Sequence, residues 1–266
     1  MPDILPTSRM KPTKINPKIL VLYGMPKVGK TREVSRLNSC LIADTEKGAE
    51  ASESIRVPIN SIHGPIIRDK SGAITGMGIV TLYNEIIAIG QDQASKGQTV
   101  TFPYKFIALD TLDKLEDYCE IEATVRYKES TIGKTFTGDS VLDLPQGAGY
   151  YHVRKVMLEM IEMMSRVCKY IILITHIKEK LLDKGGVNVS STDISLTGKL
   201  SSMVCAKADA IGYMYRNTKK ELMVSFETNE NATMGSRFPR LAGLRIPFDW
   251  TKIYIEEPDL VVPDEV

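Results

Sequence analysis

One segment near the amino end of the chain, Gly24–Thr31, constrains the possible folds more than any other feature. It reads Gly-Met-Pro-Lys-Val-Gly-Lys-Thr and matches the pattern G-x-x-x-x-G-K-[ST] at every fixed position. A working phosphate-binding loop of this type follows a buried strand and opens a helix. An apolar run at 19–23 precedes the segment, and a polar run typical of a helix at 31–37 follows it. The sequence therefore predicts a nucleotide-binding loop in an α/β fold.

The residues of this loop have separate predicted roles in holding ATP and Mg²⁺. The glycines let the backbone curl so that its N–H groups face phosphate oxygens, beside the positive end of the following helix. Lys30 is expected to reach the β- and γ-phosphates, and the hydroxyl of Thr31 is expected to bind Mg²⁺. The predicted nucleotide-binding residues are Gly24, Met25, Pro26, Lys27, Val28, Gly29, Lys30 and Thr31.

The composition is that of an ordinary globular chain of 266 residues, with 43% hydrophobic and 25% charged residues. A formal net charge of +1 carries no overall signature of a nucleic-acid-binding protein, so any such site must be local. Four widely spaced cysteines without a Cys-x-x-Cys pair predict buried, reduced thiols. No apolar run approaches the roughly 20 residues of a membrane span, and no signal peptide is recognised. A cytoplasmic location is expected.

The chain is predicted to form one domain with two loose ends. Residues 1–17 include four prolines and are expected to be a flexible arm. Residues 18–256 alternate apolar strands with helices, which predicts an α/β domain whose central sheet is mostly parallel. The acidic segment 257–266 is expected to be a loose tail.

Five further segments receive specific predictions. A possible edge strand lies near Ile55–Ile59, and an antiparallel hairpin is expected from two strands joined by the turn 217–220. Residues 252–255 are predicted to be a last short strand. Two long segments, 128–149 and 177–200, lack clear periodicity and are predicted to be loops, which at this length are usually functional or disordered.

Polar residues follow three other apolar strands at their carboxyl ends. They are Asp44–Glu46, Asp110–Thr111 and Thr175–His176. Because ligands of open α/β sheets bind beyond the carboxyl ends of the strands, these residues are expected to meet the phosphate-binding loop at one edge. Asp110 is expected to hold Mg²⁺ or a water bound to it, together with Thr31.

The order of these motifs resembles the RecA-like ATPase core, and more closely the small phage RecA-like proteins of the single-strand annealing type. The resemblance implies an α/β fold with a RecA-like core, whose mostly parallel central sheet is flanked by helices, and a C-terminal antiparallel hairpin. It covers about residues 18–228, and a phage origin would mean the cytoplasm of the host. It rests on the phosphate-binding loop, Leu41–Glu46, Ile107–Thr111, Leu173–His176, and Leu196–Lys199 leading into Ala208–Ile211.

The resemblance also implies catalytic roles for Lys30, Glu46, Asp110 and His176. Glu46 matches the family's glutamate that polarises the attacking water. An ordinary solvated acidic residue is the alternative. His176 stands where the family often has a glutamine that senses the γ-phosphate and signals to the following DNA-binding loop. This departure leaves its chemistry open, and a histidine that merely caps the strand is the alternative.

The family's two DNA-binding loops correspond to 128–149 and 177–200. The candidate DNA contacts are Lys134, Phe136, Lys178, Lys180, Lys184 and Lys199, with the lysines contacting phosphates and Phe136 stacking on a base. Acidic residues are interspersed among these lysines, so ordinary solvated loops are the alternative. Lys219, Lys220 and Arg237 lie where the family places cations that reach the γ-phosphate of a neighbouring subunit.

Two classes of function fit these features. The first is an ATP-hydrolysing RecA-like protein that binds single-stranded DNA and promotes annealing or recombination as an oligomer. Its expected partners are single-stranded DNA, copies of itself in a filament or ring, and a single-strand-binding protein. The second is a nucleotide-driven switch or loader that acts on a protein partner. A small-molecule kinase is disfavoured, because the sequence has no Arg-rich lid and Glu46 and His176 fit attack by water better.

Overall fold

The strands and helices of this computed structural model alternate from the first strand onward, and the structure describes residues 10–184, 187–228 and 232–262. The strands are β1 (Ile19–Gly24), β2 (Cys40–Asp44), β3 (Ile55–Ser61), β4 (Ile67–Arg68), β5 (Ile74–Gly78), β6 (Phe106–Asp110), β7 (Tyr170–Lys184), β8 (Val187–Ile194), β9 (Ala210–Arg216), β10 (Leu222–Ser225), β11 (Gly235–Ser236) and β12 (Arg245–Pro247). The helices are α1 (Lys30–Ser35), α2 (Ile79–Ser95), α3 (Leu112–Glu129), α4 (Gly149–Ser165), α5 (Leu200–Lys207) and α6 (Trp250–Ile253).

One mixed sheet organises the molecule, with the strand order β12-β10-β9-β1-β7-β6-β2-β3-β5-β4. The strands from β9 to β5 run parallel to one another. Their central members are continuous apolar runs because both faces of a parallel sheet are covered. β10 pairs antiparallel with β9 and forms the C-terminal hairpin. The predicted α/β fold class, a mostly parallel central sheet flanked by helices with this C-terminal hairpin, is confirmed.

Helices cover both faces of the sheet and bury two apolar layers. Side chains of β1 alternate between them, with Val21 and Tyr23 in the layer under α2, α3 and α4, and Leu20 and Leu22 in the layer under α1 and α6. One face of α4 is apolar and buried, and it includes Met157, Met160 and Met164. Along the described residues, no helix has the length and apolar character needed to cross a membrane.

The segment 177–200 is not the loop that the sequence predicts. β7 continues beyond His176 to Lys184 and pairs antiparallel with β8, from Ile177↔Ile194 to Lys184↔Val187. The sequence contains a signal for such a hairpin, because two runs of similar length flank Gly185-Gly186 and this dipeptide is favoured between hairpin strands. We refer to the paired residues 177–184 and 187–194 as the arm.

Two smaller predictions differ from the structure, and a third holds for most of its segment. Residues 250–253 form α6 and not a strand at 252–255, because Asp249 caps the helix by accepting a hydrogen bond from the N–H of Thr251 at 2.8 Å. β3 lies between β2 and β5 and is not an edge strand. Segment 128–149 is largely irregular, as predicted, although α3 extends to Glu129 and two short helical turns follow.

Both terminal segments contact the domain in part, although residues 10–15 are exposed. Asn16 is buried, and its side chain bonds Tyr170 and the backbone of Ile255. Leu260 is 6% exposed in the apolar layer beside α1, and the carbonyl of Leu260 accepts a hydrogen bond from Asn38 N–H at 2.9 Å. Residues 257–262 therefore differ from the expected loose tail. Residues 1–9 of the predicted flexible N-terminal segment and residues 263–266 of the predicted tail lie outside the described residues.

The packing of the carboxyl-terminal segment can be tested with two alanine substitutions. Leu260→Ala should destabilise the protein by about 2 kcal/mol, because it removes buried methyl groups and leaves a cavity. Val262→Ala is the matched control, since Val262 is 48% exposed and contributes its backbone N–H to the contact with Arg36. Urea denaturation of both variants measures the difference. Equal stability of the two variants would show that this segment contributes nothing to folding.

Candidate nucleotide-binding site

The phosphate-binding loop connects β1 to α1 in the conformation that its glycines require. Gly24 has no room for a side chain, because a Cβ there would lie 2.3 Å from the carbonyl oxygen of Met214 on β9. Gly29 has φ 124°, which disfavours any other residue. The loop therefore curls tightly over the sheet, and α1 begins immediately after it at Lys30. This cradle fits a phosphate group at a helix N-terminus.

The Lys30 ammonium group lies inside the curve of the loop. Its Nζ donates hydrogen bonds to the carbonyl oxygens of Gly24 at 2.8 Å and Met25 at 3.0 Å, and the side chain is buried. Burial lowers the pKa of Lys30, although the charge of Asp110 opposes this. A phosphate group would offer the ammonium charged acceptors in place of neutral carbonyls, so Lys30 fits the predicted phosphate contact.

Thr31 and Asp110 form the polar contact expected of a magnesium site. The hydroxyl of Thr31 donates to Asp110 Oδ2 at 2.6 Å, and Asp110 is 3% exposed. Burial raises the pKa of Asp110 to about 6, although the hydrogen bond from Thr31 lowers it. Among the described residues, no group of three or more His, Cys, Asp or Glu side chains could hold a metal alone. Two hard oxygen ligands fit Mg²⁺, which binds through few protein groups together with nucleotide phosphates.

The tip of β2 is held rigidly and presents Glu46 to the site. The Asp44 carboxylate accepts hydrogen bonds from the N–H groups of Glu46 and Gly48, each at 3.1 Å, and of Ala49 at 2.9 Å. Asp44 is therefore a positioning residue. Glu46 is exposed, and its Oε1 accepts a hydrogen bond from the hydroxyl of Thr111 at 2.8 Å. The contact orients the carboxylate at the edge where Asp110 ends β6.

His176 lies where β7 leaves the sheet, opposite Gly24 on β1. Its backbone N–H donates to Asp113 Oδ2 at 3.0 Å, and its Nδ1 lies 3.4 Å from the same oxygen. The contact of the imidazole with the Asp113 carboxylate raises the pKa of His176, although burial opposes it. Burial raises the pKa of Asp113, but hydrogen bonds from His176 outweigh it, and the pKa is lowered overall. The imidazole is therefore oriented by α3 while its ring remains one-quarter exposed.

A single cleft of about 570 Å³ brings the predicted catalytic residues together. Its lining residues are Pro26, Lys27, Gly29, Lys30, Thr31, Arg32, Asp44, Glu46, Gly48, Ser52, Asp110, Thr111, His176 and Arg216. Arg216 is a lining residue that the sequence analysis missed. A signal existed, because a strand beside β1 must end at the same edge, but the identity of that neighbour depends on the strand order.

The predicted DNA contacts lie outside the lining of this cleft. Lys134, Lys178 and Lys199 are exposed, whereas Phe136 is half-buried and packs edge-on against Tyr127, with ring centroids 5.4 Å apart. Lys180 and Lys184 lie on the β7 strand of the arm. The structure thus places three of the lysines, Lys178, Lys180 and Lys184, on one continuous strand with His176.

The predicted in-trans cations occupy two different edges of the sheet. Lys219 and Lys220 are exposed in the turn after β9, at the edge that carries the phosphate-binding loop. Arg237 follows β11, which pairs with the first residues of β9 and therefore lies at the opposite edge. Its guanidinium donates to the carbonyl of Ala206 and lies 3.6 Å from the Asp209 carboxylate.

The fold and this cleft define a phosphate-loop ATPase. The family model for the AAA domain matches residues 16–238, most of the chain, so the protein belongs to the AAA domain family. A solved KaiC-like protein from the hyperthermophilic archaeon Pyrococcus horikoshii OT3 is similar over 92% of this chain and 90% of that chain, with 13% identity and a TM-score of 0.37. A likeness of this size carries no argument about function. No curated protein sequence matches the chain.

The elevated pKa of Asp110 predicts opposite effects on stability and binding. A carboxylate that is costly to ionise when buried destabilises the fold above pH 6, so Asp110→Asn should raise unfolding stability at pH 7 by on the order of 1–3 kcal/mol. The gain should vanish below about pH 4, where the carboxyl is protonated in both folded and unfolded states. Mg²⁺-dependent ATP binding should weaken in the same variant. Thermal denaturation across pH and nucleotide titration measure both effects, and a less stable variant at pH 8 would contradict the prediction.

Proposed function

We propose that the protein hydrolyses ATP and uses the bound nucleotide to control its hold on single-stranded DNA, promoting annealing or recombination as an oligomer. The observation that carries this proposal is the continuity of β7. The strand contributes His176 to the nucleotide cleft and then runs without a break into the arm. A displacement of His176 by the γ-phosphate would therefore be transmitted along a single strand.

Glu46 is the residue best placed to activate water. It lines the cleft with Lys30 and Asp110, and Thr111 orients its carboxylate. A carboxylate in this position can accept a proton from water as the water attacks the γ-phosphate. Lys30 stabilises the negative charge that builds on the phosphate oxygens in the transition state. A bound Mg²⁺ would neutralise further phosphate charge.

The arm is the proposed single-strand-binding surface. Lysines 178, 180 and 184 lie on its outgoing strand, and Lys199 follows its returning strand. Lysines that neutralise phosphates release counterions, which favours binding of any sequence. Phe136 would have to leave its contact with Tyr127 to stack on a base. The lysines are therefore the stronger part of this proposal.

Self-assembly would give the exposed turn after β9 a function. Lys219 and Lys220 project from the molecule at the edge that holds the nucleotide cleft. A cation that reaches a neighbour's γ-phosphate makes hydrolysis depend on assembly. Arg237 is the weaker candidate, because its guanidinium is engaged by Ala206 and Asp209.

A protein partner in place of DNA is the second candidate. The outgoing strand of the arm also carries Glu179 and Asp183 between its lysines. Mixed charge suits a polypeptide better than a polyanion. A nucleotide-driven switch or loader would use the same cleft, the same His176 and the same arm, and it would differ in being indifferent to DNA.

Glu46→Gln should separate binding from hydrolysis. The amide keeps the size of the side chain and can still accept the hydrogen bond from Thr111, but it cannot take a proton from water. Turnover should fall by roughly 10²–10⁴ while ATP affinity stays near that of the wild type. Isothermal titration and a phosphate-release assay measure the two quantities. Loss of binding as well would mean that Glu46 has a structural role.

If the arm binds single-stranded DNA, removing its lysines should make the DNA affinity less dependent on salt concentration. Replacing Lys180, Lys184 and Lys199 together with alanine should lower affinity for a labelled oligonucleotide, and each lost phosphate contact should flatten the log–log salt slope by about 0.7. The matched control replaces the exposed Lys70, Lys96 and Lys252, which changes net charge equally. Fluorescence anisotropy with and without a non-hydrolysable ATP analogue measures both. Equal slopes in the two triple variants would place DNA elsewhere, and no DNA binding by the wild type would favour the protein partner.

A further inference from the structure

An arginine of the chain faces its own phosphate-binding loop from the neighbouring strand. Arg216 ends β9, two residues beyond Met214, which pairs with Gly24 at the start of the loop. Its guanidinium lines the cleft with Lys30 and Thr31. One guanidinium nitrogen, Nη2, lies 3.7 Å from the position that a Cβ would take on Gly29. The group therefore lies directly against the loop.

The turn after β9 fixes one half of this guanidinium. Nη1 of Arg216 donates to the carbonyl oxygen of Lys220 at 2.8 Å. Within the described residues, this is the only hydrogen bond that the guanidinium makes. The turn is itself closed by the side chain of Asn217, whose Oδ1 accepts from the N–H groups of Lys219 at 2.9 Å and Glu221 at 3.0 Å. The remaining donors of the guanidinium are therefore available on the side where Nη2 lies near Gly29 of the loop.

We propose that Arg216 binds the phosphate groups of the nucleotide held by its own chain, and that it is a further catalytic residue of the ATPase. The inference rests on the proposed ATP hydrolysis. An arginine presents a planar set of donors that matches phosphate oxygens and keeps its charge at every physiological pH. Beside Lys30 it supplies a second positive charge where negative charge spreads during phosphoryl transfer.

The turn after β9 then carries positive charges for two different nucleotide clefts, one in its own chain and one in a neighbouring chain. Its backbone holds Arg216 toward the chain's own cleft through the Lys220 carbonyl, while the side chains of Lys219 and Lys220 are exposed to solvent. Arg216 therefore acts in the chain that carries it, whereas the two lysines are candidates for action on a neighbour. This difference makes the proposal testable independently of assembly.

Another arginine provides a matched control for a purely structural role. Arg68 on β4 donates from Nη1 to the carbonyl oxygen of Gly72, also four residues later and also at 2.8 Å. It is exposed, like Arg216, but it lies on the last strand at the far side of the sheet and does not line the cleft. Arg68→Ala removes the same kind of turn contact without touching the loop.

The first experiment measures ATP-analogue affinity, turnover and thermal stability for the wild type, Arg216→Ala, Arg216→Lys and Arg68→Ala. Arg216→Ala should lower kcat/KM about 10- to 100-fold, the range for a lost hydrogen bond to a charged group. Its melting temperature should stay close to that of Arg68→Ala, and Arg216→Lys should recover part of the activity. Affinity and turnover equal to those of Arg68→Ala would overturn the proposal.

The second experiment decides whether Arg216 acts within one chain. Arg216→Ala is mixed with Lys30→Ala, which has a defective loop but an intact Arg216. Action within one chain predicts no recovery of hydrolysis, whereas recovery would show that the arginine serves a neighbour and would overturn the proposal. Failure of the wild type to bind or hydrolyse ATP would instead overturn the proposed function, and this inference with it. Wild-type activity that Arg216→Ala leaves unchanged overturns this inference alone.

Discussion

The hydrogen bond between Thr31 and Asp110 is the contact on which the site depends, because it joins the phosphate-binding loop to a strand two positions away in the sheet. It fixes the first turn of α1 against the tip of β6, and with it the position of Lys30. The bond also partly compensates a buried carboxylate whose pKa remains elevated at about 6. Folding therefore bears an electrostatic cost at this position, and a bound cation would relieve it.

A second set of contacts keeps the strand tips in register around that bond. Thr45 donates its backbone N–H to the Asp110 carbonyl at 2.7 Å, and its hydroxyl accepts from the N–H of Thr111 at 2.8 Å. Asp44 holds the turn that follows. Together these contacts fix Glu46 beside Asp110. A site built on strand ends in this way holds its carboxylates in position before a nucleotide binds.

Local patterns predicted the central strands well, whereas contacts between distant segments could not be predicted from the sequence. The bounds of β2 and the end of β6 follow from short apolar runs that finish in Asp44 and Asp110. The arm was missed because charged residues interrupt its alternation and its strands are stabilised by pairing with each other. Burial of Leu260 depends on α1, more than 200 residues earlier. Arg216 could be assigned only once β9 was known to lie beside β1, a fact of topology and not of spacing.

Because β7 is unbroken, a small rotation where it leaves the sheet would move the far end of the arm by a much larger distance. Eight residues of this strand, from Ile177 to Lys184, extend past the sheet and span about 26 Å at the usual rise of roughly 3.3 Å per residue. The pivot of such a rotation is His176, where the pairing of β7 with β1 ends. A tilt of about 10° there would displace the far end of the arm by roughly 4–5 Å. Under the proposed function, a rotation of this size set by the γ-phosphate would move the far end of the arm by nearly the spacing between neighbouring strands.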